Sequence, residues 1–328
     1  MVAPDSVRLL FVGTKDFAVP TFLSLLSAGF RVAALITQPE RPQGRKQELV
    51  PARIKIEALH HHIPVHQPES INSPESLALI RDLAPDLIVT VAYGQILSPE
   101  VLAIPRFGAI NLHGSVLPAY RGAAPVARAI QNGEQESGVT VILMNPRVDA
   151  GGILGVAKTP IGPDETAGEL EQRLADLGPG LVPGLILEIV AGTCHPIPQD
   201  AAAVSRAPKL RKEEGQIDWT QPAQRIHDLV RAMQPWPTAY SSWIDPESTQ
   251  PPVRVIFHKT RVLNESTVLE PGCIEGHDPK RLKIATGSGM VEPLIVQLPG
   301  KKPITVPDFL RGNRLNSGGR FGDPGGGA

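Results

Sequence analysis

The sequence predicts an α/β fold with two parts: an open sheet of parallel strands, then a small β-barrel or sandwich. Three observations carry this. Residues 7–37 read as strand, helix, strand. Apolar runs and helical patterns go on alternating as far as residue 191. Near residue 205 the texture changes to short β-like runs separated by turns. A strand–helix–strand unit makes a right-handed crossover and so builds a parallel sheet. A chain of 328 residues is long enough for two domains, taking about 150 residues for each.

Val7–Gly13 (VRLLFVG) is an apolar run ended by glycine, the mark of a strand covered on both faces. Pro20–Ala28 follows as a helix, with proline at its first position and Gly29 beyond its end. Arg31–Thr37 is the second strand. Residues 38–51 (QPERPQGRKQELVP) break the rhythm with three Pro, one Gly and three Lys or Arg. A loop this long is functional or a solvated excursion, and composition leaves both open. The alternation then resumes: Ser73–Leu83 helical, Leu87–Ala92 a strand, Pro99–Ala103 a short helix, Ala109–His113 a strand, Pro125–Asn132 helical. Val139–Asn145 and Ile153–Pro160 read as strands. Thr166–Ala191 is a long helical pattern interrupted at Gly178-Pro179-Gly180 and at Pro183-Gly184. From Trp243 onward come VRVIFHK, CIEG, LKIATGSG and LIVQLPG, spaced as in a small barrel. The Gly-rich stretch Asn316–Ala328 is expected to be disordered.

Charge narrows the function classes. The net charge is −1, from 32 Lys plus Arg against 33 Asp plus Glu, so a strongly basic coat is absent. Residues 1–205 hold 15 basic and 20 acidic residues and residues 206–328 hold 17 and 13, which permits a polyanion partner on the second part without demanding one. Aromatics make up 4% of the chain, so the core rests on Val, Leu, Ile and Ala. Cys194 and Cys273 lie in no metal-ligand spacing, which fits a reducing compartment. No run reaches about 18 consecutive apolar residues, so no membrane span is expected.

The informative segment is Gly108–Pro125, GAINLHGSVLPAYRGAAP. Alternation puts Asn111 and His113 on one face of a strand, near the carboxyl end where open α/β sheets bind ligands. An Asn amide can stabilise an oxyanion and a His can exchange protons near neutral pH. By themselves the two would more readily describe a hydrogen-bonded structural histidine. Val139–Ile153 adds Asp149 beyond another strand, a carboxylate available to orient His113. Taken alone, Asp149 before Ala-Gly-Gly is ordinary turn chemistry. Together the three can run acyl transfer to an amine without a covalent intermediate.

Gly108–Pro125 resembles the formyltransferases that use 10-formyltetrahydrofolate, with Asn-x-His, a Ser-Leu-Leu-Pro-like run, Arg-Gly and a distal Val-Asp-x-Gly loop. FVGTKDFAVP, TQPERPQGRKQELVP, VTVAYGQILSPEVL, LRKEEGQIDW, QPWP and PGCI extend the resemblance over roughly residues 7–315, toward the members that act on methionyl-tRNA. The resemblance implies a Rossmann-like open parallel sheet formyltransferase domain over 1–205. An OB-fold-like β-barrel over 206–316 and a disordered tail over 317–328 would follow. It assigns catalysis to Asn111, His113 and Asp149. The folate donor would be held by Ala92, Tyr93, Gly94, Gln95, Ile96 and Leu97, by Ser115, Leu117 and Pro118, and by Leu143 and Asn145. It gives tRNA contacts to Arg41, Arg45 and Lys46 in the 38–51 loop and to Lys209, Arg211 and Lys212. Glu40 stands where the family commonly has Asp, and Gln47 and Glu48 make that loop less basic than the family's usual pattern. The family also implies selectivity for methionyl initiator tRNA, no metal, a monomer, and a bacterial-type cytoplasm.

Other residues carry less. His60-His61-His62 invites a metal, but no carboxylate or Cys is read at ligand spacing, so a surface helix end is expected. Cys194-His195 are adjacent and should not face one another. Trp219 and Trp236 could stack bases, though packing is the plainer reading. Gly13-Thr14 lacks the rest of a dinucleotide-binding fingerprint, which disfavours a dehydrogenase. A glycinamide-ribonucleotide formyltransferase would lack the barrel. A sugar-nucleotide formyltransferase would lack the TQPERPQGR loop and QPWP, and a folate hydrolase would sit in a longer chain. A noncatalytic RNA-binding module would have no use for Asn111, His113 and Asp149.

Overall fold

The computed structural model describes residues 2–43, 48–245, 247–276, 278–313, 315 and 318–323. These form two compact units, one of residues 1–125, 136–160 and 170–208, the other of 126–135, 161–169 and 209–328. The change at 208/209 lies close to the boundary read at 205/206. The second unit also includes two earlier segments, 126–135 and 161–169, which no compositional shift marks.

In chain order the first unit contains β1 (Arg8–Gly13), α1 (Val19–Ser27), β2 (Arg31–Ile36), β3 (Pro42–Gln43), β4 (Glu48–Leu49), α2 (Arg53–His60), β5 (Val65–His66), α3 (Pro74–Leu83), β6 (Leu87–Val91), α4 (Pro99–Leu102), β7 (Ala109–His113) and β8 (Arg121–Gly122). After α5 (Pro125–Gln131) come β9 (Glu136–Leu143), β10 (Ile153–Pro160), α6 (Ala167–Ala175), α7 (Gly178–Ala191) and β11 (Arg206–Ala207). Seven strands form one sheet in the order β10-β9-β7-β6-β1-β2-β5. β7, β6, β1, β2 and β5 are parallel. β9 runs antiparallel to β7, and β10 antiparallel to β9, so the open parallel sheet expected from the sequence carries two antiparallel strands at one edge. The connection from β7 does not cross back: the pairing of β9 with β7 runs from Thr140 beside His113 to Leu143 beside Ile110.

α3 and α4 begin on serine caps followed by proline, Ser73 bonding the Ser76 N–H and Ser98 the Val101 N–H. α6 ends at Ala175 and α7 starts at Gly178, so the helix breaks at the first expected interruption, whereas Pro183 lies inside α7 and the second does not end it. The run Ala167–Ala191 is long and apolar enough, by length and composition, to cross a membrane, which the sequence reading did not anticipate. In the fold Gly178, Val182, Leu185 and Ile186 are buried, and α7 packs on α1 and β10.

The second unit holds α8 (Ala223–Ala232), β12 (Ala239–Ile244), β13 (Val253–Leu263), β14 (Ile284–Ala285), β15 (Met290–Gln297), β16 (Ile304–Thr305), α9 (Val306–Gly312) and β17 (Arg320–Gly322). Its antiparallel strands run β14-β15-β13-β12-β17, with β16 on β15. Residues 273–274 bridge the two ends of this row, Cys273 to Arg320 and Ile274 to Ile284, which closes the ring. Gly272, at φ +89°, lies against the Phe321 carbonyl, where a Cβ has no room. Phe257 packs edge to face against Trp219 and Phe321 in the core, Trp219 lies tilted against Phe321, and Trp243 packs against Phe321. The segment expected to be a disordered tail from 317 therefore contributes a strand, since Phe321 is a buried core residue. Residues 316–317 and 324–328 lie outside the described residues.

Candidate active site

Asn111 and His113 occupy β7 as the alternation requires, and both neighbours of that strand are in place: Thr90 of β6 and Ile142 of β9 flank Asn111. The Asn111 side-chain amide has no protein hydrogen-bond partner among the described residues, while the residue stays partly open to solvent. His113 is buried, and both ring nitrogens face acceptors. Its Nε2 lies 2.9 Å from the Tyr120 carbonyl oxygen, and its Nδ1 lies 3.6 Å from Asp149 Oδ2.

Asp149 was expected at a strand end next to His113. The carboxyl end of β9 instead lies beside Ile110, so the 144–152 loop has to return along the sheet to bring Asp149 to the ring. Asp149 sits at φ +49°, Tyr120 at +62° and Ala92 at +46°, three of the six non-glycine residues with positive φ among the described residues. Such a backbone costs about 1–3 kcal/mol per residue and persists only where neighbours hold it. Asp149 Oδ2 is held by the Gly122 N–H at 2.9 Å. Gly122, at φ +128°, runs so close to the Ala207 carbonyl that no side chain fits there.

The sequence reading missed the holders of these loops. β8 pairs with β11, the Tyr120 N–H donates to Ser205 Oγ and the Arg121 N–H to the Ser205 carbonyl. Gln199 bridges Arg121 to the Asp149 turn. No motif marks Gln199 or Ser205, since their partners lie far off in the sequence; the Arg-Gly pair was the one available signal for β8.

The residues expected to hold folate divide into two groups. Ser115 and Leu117 are buried and used inside the loop: the Ser115 hydroxyl donates to the Ala119 carbonyl and the Leu117 N–H to Thr140 Oγ1. Pro118 follows them, partly open. In 92–97 the Tyr93 and Leu97 side chains are buried, whereas Ile96 is 65% exposed. The Tyr93 hydroxyl is buried with no partner among the described residues, and burial pushes its pKa up to about 12. The backbone groups of Gly94, Gln95 and Leu97 bond nothing in the protein among the described residues. The Gln95 side chain is fully engaged, accepting from the Ile71 N–H and donating to the Glu69 carbonyl and Gln38 Oε1. Leu143 N–H donates to the Gly152 carbonyl, the Asn145 amide donates to the Ala150 carbonyl, and Val148 beside them is 52% exposed.

Of the expected tRNA contacts, Arg45 and Lys46 lie outside the described residues. Arg41 is exposed but pairs with Glu69 at 2.7 Å. Lys209 and Lys212 are exposed with no ion pair among the described residues, and Arg211 lies 3.7 Å from Glu214. Trp219 belongs to the second unit's core, its Nε1–H donating to Ser241 Oγ, while Trp236 is half-exposed. An open cavity of about 360 Å³ in that unit, lined by Asp218, Trp219 and Arg320, contains none of the expected site residues. Near the histidine run, Glu57 supplies the carboxylate that the sequence reading did not find: ligating atoms of Glu57, His60 and His61 lie within 4.8 Å of one another at the surface. Cys194 is part-buried, and burial, then Glu188, raises its thiol pKa, the opposite of a reactive nucleophile.

Comparison with known proteins adds to the geometry. Residues 7–186 match the family model "Formyl transferase" and residues 209–314 its C-terminal domain. The chain is 42% identical over 316 residues to a methionyl-tRNA formyltransferase of Citrifermentans bemidjiense, covering 96% of each. It is 43% identical over 316 residues to that of Geobacter metallireducens, covering 96% of this chain and 99% of the relative. Among solved structures, the fold resembles an N-formyltransferase from Helicobacter canadensis in complex with folinic acid and dTDP-3-aminofucose. The TM-score is 0.63 at 19% identity, covering 88% of this chain and 98% of that one. HypX from Aquifex aeolicus in complex with tetrahydrofolic acid gives a TM-score of 0.60 at 16% identity, covering 93% and 47%.

Proposed function

The chain belongs to the formyl transferase family, as an enzyme of one-carbon formyl transfer, and from that premise we propose a substrate pair and a role for each site residue. The formyl group passes from 10-formyltetrahydrofolate to the α-amine of methionyl initiator tRNA. The observation that carries this is the unpartnered Asn111 amide, two residues from a histidine set between Asp149 and the Tyr120 carbonyl.

The amine nitrogen attacks the formyl carbon, and the carbonyl oxygen becomes an oxyanion. Asn111 Nδ2–H donates to that oxygen. His113 Nε2–H leaves the Tyr120 carbonyl and donates to it as well, while Asp149 stabilises the charged ring. The C–N10 bond then breaks, the amine gives up one proton, and N10 gains one through His113. The free backbone groups at Gly94, Gln95 and Leu97 suit a flat heterocycle rich in donors and acceptors, and the exposed Ile96 and Val148 offer it apolar surface. Lys209, Arg211, Lys212 and the 38–51 loop with Arg41, Arg45 and Lys46 are the proposed phosphate contacts. The relatives are bacterial, and the reading sets the reaction in a bacterial-type cytoplasm.

The test is formyl transfer from 10-formyltetrahydrofolate with methionyl initiator and methionyl elongator tRNA side by side. Transfer to the initiator alone is expected. Transfer to neither, with folate still bound, would sink the acceptor assignment and redirect the search to small amines such as amino sugars.

A further inference from the structure

Asp149 is the one member of the catalytic set that no strand holds. It lies in a loop, at φ +49°, 3.6 Å from the ring it serves. Residues 197–207 fasten that loop and its neighbour at successive points. Ile197 and Ile153 exchange both backbone hydrogen bonds at 2.8 Å. Two residues on, Gln199 Nε2 donates to the Asp149 carbonyl at 2.9 Å and to the Gly151 carbonyl at 2.7 Å, spanning the turn that contains the strained residue. Gln199 Oε1 accepts from Arg121 Nε at 3.0 Å and Nη2 at 2.7 Å. Arg121 precedes Gly122, whose N–H holds the Asp149 carboxylate. One amide thus joins the backbone of Asp149 to the strand that grips its side chain.

We propose that Gln199 is a positioning residue for formyl transfer, acting through Asp149. The inference rests on the proposed role of Asp149 toward His113. An amide is what the place requires: two N–H groups for two carbonyls, and one oxygen for a guanidinium. Glutamate would keep the Arg121 bonds and lose both donors. Alanine would lose everything and free the turn to relax from positive φ.

The experiment is a double-mutant cycle. Gln199→Ala and Gln199→Glu are each made in the full chain and in the Asp149→Ala background, and kcat and both KM values are measured. Each Gln199 change alone should lower kcat about 10- to 100-fold, the scale of a misplaced catalytic group. KM for folate and for tRNA should stay within about threefold, since Gln199 meets neither substrate. In the Asp149→Ala background the same change should cost less than about twofold, because the group it positions is gone. Full kcat in both variants overturns the inference. Equal fold-losses with and without the Asp149 carboxylate also overturn it while leaving the role of Asp149 standing. Loss of the native unfolding transition in both variants overturns it too, since Gln199 would then be holding the fold. A fully active Asp149→Ala enzyme overturns the role of Asp149 and this inference together.

Discussion

Two buried histidines have nearly the same immediate surroundings and very different neighbourhoods. His113 in β7 is 6% exposed and His227 in α8 is 7% exposed. Each has a carboxylate oxygen 3.6 Å from a ring nitrogen, Asp149 for one and Asp164 for the other. Each has a backbone carbonyl near Nε2, at 2.9 Å from Tyr120 and 3.1 Å from Pro163. Beyond this the two part. The second nitrogen of His227 meets Thr260 Oγ1 at 3.0 Å, and the next side chains form a closed ion pair, Arg231 to Asp228 at 2.8 Å. Arg231 also donates to the carbonyls of Gly162 and Glu165, so this centre clamps residues 161–169 within the second unit. Around His113 an amide is left unpaired, and two residues sit at positive φ. A buried histidine near a carboxylate is therefore no sign of catalysis. What separates His113 from His227 is the unspent donor beside it and the strained backbone around it.

Substitutions at the two centres should separate by what they change. Asp228→Ala strips the buried Arg231 of its carboxylate and should lower stability by about 3–5 kcal/mol in denaturant melts. A loss below about 1 kcal/mol would break the picture of a structural clamp. His113→Ala and Asn111→Ala should each lower turnover by about 100-fold or more, the scale of a lost acid–base or oxyanion group, with the melt nearly unchanged. Near-normal turnover in either variant would refute its role. His227→Ala should cost about 1–3 kcal/mol by leaving Thr260 without its partner, with turnover per folded molecule unchanged; a turnover defect there would erase the contrast. The smallest effect is expected outside both centres. Arg45→Ala should reduce the slope of log affinity for tRNA against log salt by about one and leave folate binding as it was. Equal loss of both affinities would mean a folding defect.

The sequence disclosed what lies in local pattern. The Ala109–His113 strand is read with its observed bounds, because its apolar run carries polar residues on one face only. Asp149 was legible as a partner for His113 but its route was not, since apolar periodicity gives a strand's place and never its direction. That is why β9 came as an antiparallel strand and the 144–152 loop as a returning one. Gln199 left no trace at all: its partners are 50 and 78 residues away. The clamp around His227 was equally hidden: no element was read over Ala223–Ala232, and the partners of His227 at Pro163, Asp164 and Thr260 lie far off in the sequence. Composition misled at the end of the chain, where glycines outweighed the single Phe321, and at Glu57, which helical spacing brings toward His60 and His61.

The closure of the second unit's ring has a consequence for how the protein is made. Every strand of the ring except β17 precedes residue 306, yet Phe321 is the ring that touches Trp219, Trp243 and Phe257 together. Synthesis delivers residues at about 5–20 per second, N-terminal portions folding first. The nascent second unit thus waits with its aromatic core unsealed while residues 318–323 are still inside the ribosome. A ribosome stalled before residues 318–323 emerge would hold a finished sheet in the first unit and an open, adhesive ring in the second, and quality control would meet the molecule at that point.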